Sequence, residues 1–305
     1  LNKPENSHAP ISVTAIMLLV MLSFLWGGNM ISIKFSSQGI PPILAAMMRS
    51  LLASIFLWIH ARAMGEDVFL EPAYIKHGIV IGILFGVEFL LLFWGPSFTD
   101  ASRAVVFLYT QPLWVALAAH FVLPNDRLTW AKSLGLLLAF GGLILVFWSR
   151  SPTLGPLYWL GDLMEMAAGL LWAATTIYIK KFIWNRPITH FQTLFAQLFF
   201  SIPILGVGVL IFEWGQPIKL TSLVIASVFY QTVIIAYLSY LLWFWMIHRF
   251  QVSVLSAFTF LTPLFGVILC GIILGEPLPI LLWIGLAFVA LGIYLVNQPT
   301  PVAKE

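Results

Sequence analysis

The sequence predicts an all-α polytopic membrane protein with ten transmembrane helices, arranged as two inverted five-helix repeats. Three observations carry that expectation. Composition is the first: 61% of the residues are hydrophobic and 9% charged, where a soluble domain carries about a quarter charged, and mean hydropathy is +0.98. The second is spacing, because the apolar residues come in runs of about 19–25, the length that crosses roughly 30 Å of hydrocarbon as helix. Barrel strands would show alternation over about ten residues, which is absent. The third is a stretch that occurs twice. Residues 93–114, FWGPSFTDASRAVVFLYTQPLW, align without a gap to residues 244–265, FWMIHRFQVSVLSAFTFLTPLF, at an offset of 151. The copies share Phe93/Phe244, Trp94/Trp245, Ser102/Ser253, Phe107/Phe258, Pro112/Pro263 and Leu113/Leu264.

In order along the chain, residues 1–12 are polar with two prolines and read as a loose tail. Ten spans follow, at about 13–34, 42–63, 75–97, 101–123, 130–149, 157–182, 189–212, 221–245, 251–273 and 279–297. The first lacks the short core and small-residue cleavage pattern of a signal peptide and is expected to be retained. The longest connections, around 64–74 and 183–188, are too short to fold by themselves.

Orientation follows from Lys and Arg. With the N-terminus inside, the inner side receives Lys3, Arg62, Lys76, Arg127, Lys132, Lys180, Lys181, Arg186, Arg249 and Lys304, against Lys34, Arg103, Arg150 and Lys219 outside. The bias places both termini in the cytoplasm. Similar halves of five spans each must then point in opposite directions. The repeat extends to the first and sixth spans, where Leu25-Trp26 and Leu171-Trp172 each precede a lysine, Lys34 or Lys180, by eight residues. Asp126 and Glu276 mark the turn before the last span of each half, and Gly135/Gly285 and Gly142/Gly292 continue the match at an offset of 150.

These paired halves, with the Ala-Met-Met-Arg49-Ser-Leu-Leu-Ala stretch, the prolines Pro112 and Pro263 and the Leu-Gly-Glu276 turn, resemble the drug/metabolite transporter superfamily, specifically its EamA-like exporters. The first-half turn departs from the family pattern, reading Pro-Asn-Asp126 where a glycine and glutamate are usual. The resemblance implies EamA-like repeats over 13–149 and 157–297. It also implies an alternating-access exporter of small metabolites in a bacterial-type inner membrane, with its cavity enclosed by spans of both halves.

A charge inside a span costs some ~2.5–3.5 kcal/mol on insertion scales, so it is expected to face a cavity or a partner. Arg49, Glu88 and Glu165 are such charges, each about 12 Å below the outer surface at about 1.5 Å per residue. One reading makes them the substrate site: Arg49 holds a carboxylate, and either glutamate binds a proton or an ammonium group. Tyr109, Trp26 and Asn29 add stacking and hydrogen bonds at similar depth. The other reading makes Arg49 and Glu88 a structural ion pair without ligand contact. Gln231, Gln197 and Tyr240 lie near the midplane and inner half, and Gln111 precedes Pro112. Gln231 is carried as a further substrate-binding candidate, although amides in membrane helices more often bond a neighbouring helix. Pro112 and Pro263 are expected to bend their spans and to serve as gating hinges. Gly78, Gly82 and Gly86 form a smooth stripe suited to helix packing. Trp94 and Trp245 are expected at opposite membrane interfaces.

No GxxxxGK[ST] sequence is present to cradle a nucleotide phosphate, so a proton or substrate gradient is the expected energy source. His8, His60, His77, His120, His190 and His248 are scattered, with no metal-binding pair on one helical face, and no cofactor is expected. No nucleophile elbow suggests an enzyme, and no basic stripe suggests nucleic acid. The single cysteine, Cys270, excludes an intramolecular disulfide. The expected partners are a small-molecule substrate and membrane lipid. A channel-like facilitator or lipid-moving protein of the same fold is the alternative.

Overall fold

A computed structural model describes residues 11–99, 101–124, 126–147, 155–275, 278 and 280–298. Among the described residues all regular structure is helical. Lys3, His8, Arg150, Glu276 and Lys304 lie outside them, as does the Ser102 side chain.

The helices are α1 (Val13–Ser36), α2 (Pro42–Ala63), α3 (Ile75–Trp94), α4 (Ala101–Leu108), α5 (Gln111–Val122), α6 (Trp130–Phe147), α7 (Tyr158–Tyr178), α8 (His190–Gly208), α9 (Ser222–Phe229), α10 (Tyr240–Arg249), α11 (Val252–Phe258), α12 (Leu261–Leu274) and α13 (Ile280–Val296). Apolar runs of this length satisfy their backbone groups only as helix when water is absent. Eight helical stretches are long and apolar enough to cross a membrane. The other two expected spans correspond to α7, whose first turns carry Asp162 and Glu165, and α13, which is 17 residues long.

Helix starts follow ordinary capping chemistry. The Ser12 hydroxyl accepts from Ala15 N at 3.2 Å, and Thr189 with Gln192 forms a capping box on α8. α2 starts on Pro42, and its next N–H groups, Ile43 and Leu44, each donate to the Glu213 carboxylate at 2.8 Å. That carboxylate comes from the far end of the α8 segment and compensates the positive end of α2.

The structure shows how the prolines sit in their spans. Pro112 and Pro263 do not bend continuous helices; they begin new ones. α4 gives way to α5 across Tyr109-Thr110, and α11 gives way to α12 across Thr259-Phe260. At these breaks the chain tightens to bonds three residues back, Thr110 N to Phe107 O at 3.2 Å and Phe260 N to Ala257 O at 3.3 Å. Proline has no N–H to continue the ladder, but it fits the first turn of a helix. The Phe258 carbonyl, near the second break, accepts the Ser23 hydroxyl from α1 at 3.0 Å.

Three widened π-helical segments extend or join helices: Ile179–Ile183 after α7, Val209–Glu213 after α8 and Tyr230–Ser239 between α9 and α10. The longest lies beside the cavity described below.

Packing runs across the two sequence halves. α6 lies on α13, α2 on α8, and α3 on both α7 and α8, while α1 packs on α9, on the π segment after it and on α12, and α5 on α7. The glycine stripe of α3 lets α8 approach. A Cβ on Gly78 would stand 2.9 Å from Ala196 Cβ, and one on Gly86 2.9 Å from Ile204 Cβ. The larger of two buried apolar clusters joins residues of both halves, such as Leu57, Leu143, Leu194 and Val289, and the smaller sets Ile40 and Ala45 against Val224 and Val228. Large apolar side chains including Phe121, Trp130, Leu137, Ile211 and Ile272 are exposed on the outside, as a lipid-facing surface requires.

Candidate functional site

A cavity of about 480 Å³ lies between α1, α2, α3, α4, α7, α8 and α10, and six of the seven residues nominated for substrate binding line it: Arg49, Glu88, Glu165, Tyr109, Trp26 and Asn29. Helix geometry explains the convergence, because each is the polar or amphipathic member of an apolar run whose other faces meet lipid or neighbouring helices. Gln197 and Tyr240 line the cavity as well.

The three charges are buried, Arg49 and Glu165 to 1% exposure and Glu88 to 6%. No ion pair within 4.0 Å joins Arg49 to Glu88 or Glu165 among the described residues. Instead the Arg49 guanidinium lies 4.4 Å over the Phe89 ring, and its Nε and one terminal nitrogen have no hydrogen-bond partner. Both Glu165 oxygens and Asn29 Oδ1 are also unpartnered. Buried polar groups are ordinarily satisfied, and a buried unpaired charge is costly. In the cavity wall these atoms, with Gln197 Oε1, are left able to bond a complementary group.

Asp162, one turn before Glu165 on α7, behaves differently. It accepts from Arg103 at 2.5 Å and from the Thr99 hydroxyl at 2.6 Å, so its charge is compensated. Glu165 rests against the backbone of Gly95, where an added Cβ would stand 2.6 Å from Oε1. A side chain at position 95 would make the Glu165 carboxylate shift from this pose.

An aromatic wall completes the cavity. The Trp26 ring is 6.2 Å from Trp172, 6.2 Å from Tyr240 and 5.2 Å from Trp243, all edge-on. Tyr109 meets Trp172 at 6.1 Å. Trp26 is held in place by its Nε1–H, which donates to the Ser239 hydroxyl at 2.8 Å at the end of the long π segment. This wall gives the cavity large apolar faces with few polar points.

Gln231 falls elsewhere. Its Nε2 donates to Ser32 O at 3.2 Å and to the Ser36 hydroxyl at 2.9 Å, tying α1 to the π segment, and it is not among the cavity-lining residues. A helix-to-helix bond explains its burial. Gln111 is buried with both amide atoms unpartnered and does not line the cavity. Trp94 is partly exposed, with its ring 4.0 Å from Phe212, and Trp245 lies under Arg249 at 4.3 Å.

Lining residues that sequence reasoning did not nominate include Trp172, Trp243, Thr175, Thr176 and Ser37. Trp172 had a signal, since it is the repeat counterpart of Trp26. Among the described residues no group of three or more His, Cys, Asp or Glu is placed to hold a metal ion.

Apolar spanning helices around a buried, polar-pointed cavity define the chain as a multi-pass membrane protein with the build of a transporter. The EamA-like transporter family model matches it twice, over residues 13–148 and 159–298. The chain belongs to the EamA-like transporter family, and it is a membrane transporter of the drug/metabolite type. It is similar to the uncharacterized transporter YoaV of Bacillus subtilis (strain 168), 22% identical over 93% of this chain and 96% of the relative. It is also similar to a protein named "Probable amino-acid metabolite efflux pump" in Salmonella typhimurium (strain LT2), 25% identical over 91% of this chain and 93% of the relative. A solved crystal structure shares the fold with a TM-score of 0.78 at 19% identity, covering 93% of this chain and 96% of that one.

Proposed function

We propose that the protein is a secondary active transporter of small amphipathic metabolites, amino acids or related compounds, working as an exporter by alternating access. The observation that carries this reading is the trio Arg49, Glu88 and Glu165, buried in one aromatic-lined cavity without an ion pair between Arg49 and either glutamate. An α-carboxylate on Arg49, an ammonium on a glutamate and an apolar side chain against Trp26 and Trp172 would satisfy all of these at once. The name of the Salmonella relative, "Probable amino-acid metabolite efflux pump", supports the amino-acid class and the outward direction.

The reading includes ten spans in two inverted halves, 13–149 and 157–297, with both termini cytoplasmic in a bacterial-type inner membrane. The exchange-symmetric packing supports it, since α1 lies on α12 where α7 lies on α5. Each half also contains one helix broken just before its proline. In this reading Pro112 and Pro263 mark the swivel points, and a proton or substrate gradient supplies the energy.

Purified protein in proteoliposomes, tested for counterflow of labelled amino acids with and without an imposed pH gradient, tests the proposal. Saturable counterflow of at least one zwitterion is expected. Continuous conductance, or lipid movement without such counterflow, would transfer the assignment to a channel or lipid-moving protein.

A further inference from the structure

The two poles of the cavity differ in burial: at one its lining reaches the exposed Ser37, and at the other it ends on Ile179 and Ile247, which are 0% and 1% exposed. Its lining includes Ser37, Pro42 and Pro96, where α1 ends, α2 begins and α3 has just finished. Toward the opposite pole it stops at Ile179 and Ile247. Beyond them the protein is sealed by polar bonds. Lys180 Nζ donates to Ile247 O at 2.7 Å and Phe250 O at 3.0 Å, closing the end of α7 onto the end of α10.

Next to that closure lies a buried network between the halves. Asp126, in the turn between α5 and α6, accepts from Lys132 Nζ at 2.9 Å, from Ser253 N at 2.9 Å and from the Ser253 hydroxyl. Lys132 also donates to Gln251 Oε1 at 2.9 Å and Ser253 Oγ at 3.2 Å, which uses all three ammonium hydrogens. Asp126 and Lys132 are 4% and 3% exposed. These are charges with full partner sets, unlike those of the cavity. At the same pole α5 packs against α11, whereas among the described residues α4 and α12, which occupy the corresponding places at the other pole, do not pack comparably.

We propose that Asp126, Lys132, Gln251 and Ser253 form a latch holding this pole shut, and that the latch parts whenever the cavity opens there. The proposal rests on the alternating-access reading. A fully bonded buried ion pair gains little net energy over the same charges in water, so admitting water to this pole exchanges one near-balanced arrangement for another. Removing one partner changes that balance. With Lys132 gone, Asp126 is left buried without its counter-charge, and the opened, hydrated arrangement is favoured.

The test uses side-specific labelling of the full chain in membrane vesicles of each orientation, and needs no substrate. In a Cys270→Ser background, a reporter cysteine at Ile247 reads the shut pole, and one at Leu92 reads the open pole. A membrane-impermeant maleimide is added from the matching side. Lys132→Ala is expected to raise the labelling rate of Ile247→Cys by about tenfold and to lower that of Leu92→Cys, the reciprocal change of a two-state shift. Unchanged rates at both reporters, or a rise at both as in general loosening, would overturn the latch. If Lys132→Ala does not accumulate, Ser253→Ala, which removes only a hydroxyl, is expected to shift the reporters in the same reciprocal sense by a smaller factor; no shift overturns the proposal. Because labelling is independent of transported compound, its failure is distinct from a failed counterflow assay.

Discussion

Gly142 and Gly285 stand back to back: a Cβ built on either would lie 2.7 Å from the carbonyl oxygen of the other. One helical stretch away, a Cβ on Gly135 would lie 2.6 Å from the Gly292 carbonyl. The contact is mutual, as expected when equivalent surfaces of two similar units meet. Gly285→Val or Gly142→Val forces α6 and α13 apart and is expected to destabilise the protein by about 1–3 kcal/mol. Thermal unfolding in detergent measures this, and substrate affinity in the folded fraction should be unaltered.

Arg49→Ala and Glu165→Gln each delete a charge that in the transporter reading pairs with substrate. Loss of one partner of a desolvated charge pair costs about 2–5 kcal/mol, so KM for counterflow should rise by more than about tenfold. The exchanged protein Arg49→Glu/Glu88→Arg should not recover. Recovery of full transport would make these residues an interchangeable structural pair.

Ser239→Ala removes the acceptor of the Trp26 indole N–H. A neutral hydrogen bond contributes about 1 kcal/mol, so a several-fold loss in apparent affinity for an aromatic or bulky substrate is expected, with a smaller loss for glycine. Equal losses for both would show that Trp26 does not contact the transported side chain.

Glu213→Ala removes the carboxylate that receives two N–H groups at the start of α2. A drop of about 1.5–3 kcal/mol in stability is expected from hydrogen bonds to a charged group, with KM unchanged because Glu213 does not line the cavity. Gln231→Leu makes a parallel case, since its bonds to Ser32 and Ser36 predict lost stability rather than lost affinity.

Much of this architecture was legible in the chain because charges inside apolar runs are conspicuous. Arg49, Glu88 and Glu165 announce themselves by cost alone, and the cavity does collect them. Gln231 did not separate from them, because an amide satisfied by a neighbouring helix and one aimed into a cavity look alike in sequence. The proline breaks were half visible: proline signals a disturbed ladder, but whether the helix bends or restarts depends on tertiary partners such as Ser23. Lys132 and Ser253 were least legible. Their burial arises from the meeting of two helix starts, α6 and α11, at residues 121 apart, which no local pattern encodes. The π segments at 179–183, 209–213 and 230–239 left no signal either, since one extra residue in a helical turn leaves composition and span length unchanged.

The intimate fit of Glu165 over Gly95 turns position 95 into a diagnostic letter. A relative with a bulkier residue in that column would carry an acid at the position of Glu165 in a shifted pose, or lack it. Sorting homologues by that single column would separate those that can keep the acid in this pose from those in which it must move.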